Sequence, residues 1–172
     1  MNFTVTTPTR NSPSRSLIVL GCFLLACYGV AALGAFSMAS SIPTWYAALA
    51  KPSFNPPNWI FAPVWTTLYG FMAIAAWLVW RTLDIGPETG FRQSGLVFFA
   101  VQLFLNAVWT PVFFYLHQIL PALIVILCLW AAILVTTLRF WKAERFAAGL
   151  MIPYLLWITF AFALNFEIYR LN

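Results

Sequence analysis

The chain has 172 residues, of which 63% are hydrophobic and 8% charged, and its mean hydropathy is +0.87. A soluble domain carries about a quarter charged residues, so this composition excludes a soluble enzyme and a disordered tail. The formal net charge is +5, but the nine Lys and Arg are scattered without forming a stripe, which argues against a nucleic-acid partner.

What remains is an all-α integral membrane protein, and its elements follow in chain order. Residues 1–16 form a polar, basic extension free of acidic residues, expected to be disordered, ahead of a single domain over 17–172. A bilayer core of about 30 Å takes about 20 apolar residues per helix. Five stretches meet that length without an internal charge: 17–39, 59–80, 95–116, 119–138 and 146–166. They are continuous rather than alternating, which predicts a five-transmembrane-helix bundle and not a barrel. The first stretch carries Ser37-Met38-Ala39, which resembles a signal cleavage site. It is too long for a signal core of about 7–15 residues, so a retained helix is expected. Its small residues Cys27, Ala31, Ala35 and Ala39 recur every fourth position, a ridge suited either to an oligomer contact or to packing within the monomer.

A long proline-rich loop, residues 40–58, is predicted between helices 1 and 2. Pro43, Pro52, Pro56 and Pro57 exclude one regular helix there, and Trp45, Tyr46 and Phe54 argue for a folded cap rather than a linker. With five spans, Arg10, Arg15, Arg81, Arg92, Arg139, Lys142 and Arg145 fall on one side, and Lys51 and Arg170 on the other. That bias predicts a cytoplasmic N-terminus and a cytoplasmic 139–145 loop.

Conventional catalytic machinery does not assemble. His117 is a lone loop histidine expected to be solvated, Glu167 is placed to pair with Arg170 at i, i+3, and no metal-ligand spacing occurs. Cys22, Cys27 and Cys128 read as free buried thiols. The spans instead carry neutral polar groups and indoles at helical spacing. Gln102, Asn106 and Trp109 share one face; so do Trp157, Ala161 and Asn165; so do Trp65 and Tyr69. An amide turned to lipid is costly, so Asn106 and Asn165 should point into the bundle. The tryptophans on those faces would then line a common interior, with Ala161 leaving space beside Trp157. Interhelical glue and an interfacial tryptophan belt (Trp59, Trp80, Trp141) are the alternative reading. Pro63, Pro111 and Pro153 are expected to kink their helices.

Three motif blocks bear a resemblance. Trp45-Tyr46, Lys51-Pro52-Ser53-Phe54-Asn55-Pro56-Pro57 and Pro63-Val64-Trp65 form the first; Gln102 to Trp109 with Pro111 forms the second; Pro153-Tyr154-Leu155-Leu156-Trp157 with Leu164-Asn165-Phe166 forms the third. Over residues 17–172 the chain resembles the tryptophan-rich sensory protein family, also called the translocator protein or peripheral benzodiazepine receptor family. The resemblance implies a five-helix bundle, a homodimer, and a pocket closed by the first loop that binds porphyrins such as protoporphyrin IX or haem. It carries the pocket residues over to Trp45, Tyr46, Trp65, Asn106, Trp109, Trp157, Ala161 and Asn165, with no metal and no required cofactor. The function it implies is a tetrapyrrole-binding sensor, in which Lys51 or its loop neighbours are expected to meet propionate carboxylates at the entrance. The alternatives are a light- and oxygen-dependent porphyrin-degrading enzyme, using Trp65 and Trp157, and a transporter of porphyrins or other apolar metabolites. The sterol-binding pattern of some members fails here, since Phe166 stands at the aromatic position and Tyr169 directly abuts Arg170.

Overall fold

A computed structural model describes residues 12–83 and 89–172. Five helices in it are long and apolar enough to cross a membrane: α1 (Pro13–Ala39), α2 (Phe61–Arg81), α3 (Thr89–Thr110), α4 (Ile119–Ala143) and α5 (Arg145–Leu171). Among the described residues there is no strand. The neighbour relations place the helices in the cyclic order α1, α2, α5, α4, α3, with α3 returning to α1.

Several ends lie beyond the apolar stretches, each for a local reason. Helix α1 starts at Pro13 because Ser12 caps it, accepting the Arg15 amide at 3.3 Å, and Pro13 has no amide to satisfy. The polar extension is therefore helical from Pro13 to Ser16, and residues 1–11 lie outside the described residues. Helix α4 runs past its apolar core through Arg139 and Lys142. Their cations rest on aromatic faces, Arg139 at 4.6 Å from the Phe91 centroid and Lys142 at 5.3 Å from the same ring, so the charges stay at the rim while the helix continues. At Glu144 the backbone is extended and its carboxylate caps α5 at the Phe146 amide, 3.2 Å away. One residue thus separates α4 from α5.

The prolines differ in their effect. Pro63 lies in the first turn of α2, where proline is tolerated. Pro153 is accommodated inside an unbroken α5. Only Pro111 ends an α-helix. There α3 widens into a π-helical turn, Pro111–Tyr115, closed by the Leu116 amide on the Pro111 carbonyl at 2.9 Å.

The core is built from small and branched residues. Ala73, Ala75 and Ala76 of α2 and Ala147 and Ala148 of α5 are fully buried among Ile126, Leu129, Ile133 and Met151. Between helices in lipid, close approach and dispersion do the holding, so alanine on facing surfaces is the expected chemistry. On α1, Cys27 and Ala31 pack into this core, so that part of the small-residue ridge serves the monomer. The thiols are free, but only Cys27 is buried; Cys22 and Cys128 face outward, where an apolar sulfur in lipid needs no partner.

Candidate ligand-binding site

Between α1 and α2 the chain folds over one end of the bundle. A π-helical turn, Ile42–Tyr46, and a 3₁₀ turn, Asn58–Ile60, bracket this segment. Its internal bonds explain why a proline-rich stretch holds one shape. The Tyr46 hydroxyl donates to Asn55 Oδ1 at 2.8 Å. Lys51 Nζ donates to the carbonyls of Tyr46, Ala47 and Leu49 at 2.6, 3.2 and 3.0 Å and lies 4.9 Å from the Tyr46 ring centroid. An ammonium has three protons, and all three are used on the lid itself. Lys51 is therefore an internal clasp, and the expectation that it meets a ligand carboxylate at the mouth does not fit this geometry.

Beneath the lid lies a chamber of about 60 Å³. Of the expected site residues, Tyr46, Trp65, Trp109, Trp157, Ala161 and Asn165 line it. Each indole is held by neighbouring rings. Trp65 packs on Tyr69 at 5.5 Å and Tyr154 at 6.2 Å, Trp109 stacks on Phe113 at 5.6 Å, and Trp157 meets Phe61 at 5.9 Å and Phe160 at 5.4 Å. A lateral groove of about 440 Å³ between α1 and α2 shares walls with the chamber at Met38, Ile42, Asn58, Phe61, Trp65 and Trp109. Ala31 and Ala35 of the small-residue ridge line it. Chamber and groove together reach the range of small-molecule pockets, roughly 300–1,000 Å³.

Two expected site residues sit elsewhere. Trp45 lies outside the chamber wall, packed edge-on against Phe113 at 5.4 Å and stacked on His117 at 4.3 Å. Asn106 lies below the chamber, 1% exposed. Its Oδ1 accepts from the Tyr69 hydroxyl at 2.8 Å and its Nδ2 donates to the Tyr154 hydroxyl at 2.7 Å. The amide thus ties α2, α3 and α5 together and fixes the two phenols on which Trp65 rests.

Three residues of the chamber wall carry buried polar atoms with no protein partner among the described residues: Trp109 Nε1, Trp157 Nε1 and both side-chain polar atoms of Asn165, a residue 2% exposed. A buried polar group left unpaired costs about 1–3 kcal/mol, so the arrangement holds hydrogen-bonding capacity at an otherwise apolar aromatic surface. Such a site suits a flat, largely apolar molecule with a few polar atoms.

Sequence reasoning also passed over part of the wall. Leu164 and Ile168 continue the Trp157 face by helical spacing and were legible in principle; Met38, Ile42 and Asn58 come from the ends of three other elements. His117 is exposed as expected, yet it has partners distant in sequence, Ser41 and Trp45. Glu167 and Arg170 pair at 2.9 Å. No group of three His, Cys, Asp or Glu that could hold a metal occurs among the described residues.

Comparison with known proteins agrees with this architecture. The TspO/MBR family model matches residues 23–170. Similar proteins include Protein CrtK of Rhodobacter capsulatus, 38% identical over 157 residues that cover 91% of this chain and 94% of that one. The tryptophan-rich sensory protein of Cereibacter sphaeroides is 39% identical, covering 87% of this chain and 89% of its own. The human translocator protein is 40% identical over 128 residues, 74% of this chain and 75% of that one. With five apolar helices and a family match across nearly the whole chain, this multi-pass membrane protein belongs to the TspO/MBR family.

Proposed function

We propose that the protein is a membrane sensor that binds a porphyrin-class tetrapyrrole beneath the 40–60 lid. The observation that carries this reading is the set of unpaired polar atoms of Trp109, Trp157 and Asn165 on an aromatic chamber wall. Three indoles offer face and edge contacts to a planar macrocycle, each worth about 0.5–1.5 kcal/mol beyond area burial. The chamber alone is too small for a macrocycle, so the ligand extends into the lateral groove through the shared wall at Phe61, Trp65 and Trp109. Haem and protoporphyrin both have this chemistry, and the protein requires no other cofactor. The unit of the reading is a homodimer with the N-terminus and the 139–145 loop cytoplasmic, which puts the lid on the outer side.

The test is a protoporphyrin IX titration of the purified protein in detergent, read by quenching of tryptophan fluorescence, in darkness and under illumination. Saturable quenching that weakens in Trp157→Phe and Trp65→Phe is expected. Affinity unchanged in the double variant would overturn the assignment. The illuminated arm separates the sensor from a light-dependent degrading enzyme, which would form a defined product that vanishes in the same variants.

A further inference from the structure

His117 stands in the turn just before α4 with a backbone φ of 57°. This left-handed conformation is uncommon outside glycine, although histidine and asparagine visit it more than most residues. The strained turn places the imidazole against the lid. Its ring lies parallel to the Trp45 indole, centroids 4.3 Å apart with 18° between planes, and its Nε2 is 3.3 Å from Ser41 Oγ. The Ser41 hydroxyl donates its single hydrogen to the Phe114 carbonyl. At the imidazole, therefore, that oxygen can only accept. The contact requires a proton on His117 Nε2, and any second proton goes to Nδ1.

We propose that His117 is a positioning residue that latches the lid through Trp45 and Ser41, and that a second proton on its ring tightens the latch. Neutral imidazole with hydrogen on Nε2 already makes the serine bond and the stack. Protonation at Nδ1 keeps both and converts the stack into a cation lying on an indole face, the strongest aromatic partner for a cation. The titratable and charged groups on the elements packed here are the phenols of Tyr46 and Tyr115 and the Lys51 ammonium. Burial pushes the Tyr46 phenol up, and Lys51 is committed to its three carbonyls. No carboxylate touches the imidazole among the described residues. The sign is set accordingly: a second proton on the ring strengthens the closed lid, and lid opening increases when that proton is lost.

This inference rests on residues 40–60 being the lid of the ligand site, and its test does not need the ligand. Hydrogen exchange of the 45–49 amides is followed in the detergent-solubilised full chain from about pH 5 to pH 8. Each rate is taken as a ratio to His117→Asn at the same pH, which cancels the intrinsic pH dependence of exchange; asparagine tolerates the left-handed turn but lacks both ring and charge. Wild-type protection relative to the variant is expected to increase by about two- to five-fold on acidification. In Trp45→Leu, which keeps the serine bond, the step should vanish. A ratio that stays flat with pH, or a step that survives Trp45→Leu, overturns the latch. Protoporphyrin release measured in parallel should slow by the same factor in acid. A pH step in exchange with unaltered release supports the latch and counts against the pocket beneath it.

Discussion

Asn172 and Ala50 bond to each other twice across the mouth of the bundle. The Ala50 amide donates to Asn172 Oδ1 at 3.0 Å, and Asn172 Nδ2 donates to the Ala50 carbonyl at 3.0 Å and to Ile168 O at 2.9 Å. The side-chain amide imitates a paired backbone and fastens the lid to the last turn of α5, the helix that carries Trp157, Ala161 and Asn165.

If that clamp sets how long a ligand stays, Asn172→Asp should shorten it. Aspartate keeps the size and the accepting oxygen but loses both donated bonds, each worth about 0.5–1.5 kcal/mol. Release of protoporphyrin, read by recovery of tryptophan fluorescence after dilution, should accelerate by about ten-fold. An unchanged rate would mean that the lid is not held through α5.

Lys51 separates two electrostatic roles. As an internal clasp its loss should open the lid for any ligand, whatever the ligand's charge. Lys51→Met should therefore weaken free protoporphyrin and its dimethyl ester by the same factor. A loss confined to the free acid would make Lys51 the receptor for the propionates after all.

The bridging amide below the chamber is a matter of stability. Tyr154→Phe removes the hydroxyl that accepts from Asn106 Nδ2 and leaves that N–H buried without its partner. Bonds of this kind between membrane helices average about 0.6 kcal/mol and reach about 1.7. A destabilisation of about 1 kcal/mol in denaturant unfolding is expected, with a larger loss in Asn106→Leu, which abandons two phenols. Wild-type stability in Asn106→Leu would mean that the amide does not tie the helices.

The spans and the inner faces were legible in the sequence because both follow from short-range rules. Length without charge marks a membrane helix, and Trp157, Ala161 and Asn165 share a face by spacing alone. Helix ends were less legible: whether α4 stops before Arg139 depends on Phe91, a residue of another helix that carries the cation. The same holds for the lid. Nothing near Lys51 says that its three protons stay at home, and nothing near His117 points to Ser41 and Trp45, more than seventy residues away. Asn106 and Asn165 look alike in sequence, each an amide one or two turns from a tryptophan. Only the facing helices decide that one finds two tyrosines and the other finds none.

That difference yields the sharpest prediction. Asn165 is buried with neither side-chain atom paired, so in the unliganded protein it costs stability, about 1–3 kcal/mol for an unmet buried polar group. Leucine has the same branched heavy-atom skeleton, is bulkier towards the chamber, and has no such need. Asn165→Leu should therefore raise the thermal unfolding midpoint of the ligand-free protein while weakening protoporphyrin binding, because the polar atoms the ligand would satisfy are gone. Ala161→Leu approaches the same wall by volume: its added carbons occupy the small chamber of about 60 Å³, so affinity should fall while the free protein keeps its stability. A ligand site and a structural joint respond with opposite signs here. If Asn165→Leu unfolds earlier than wild type and binds as well, Asn165 is interhelical glue and the chamber has lost its principal polar contact.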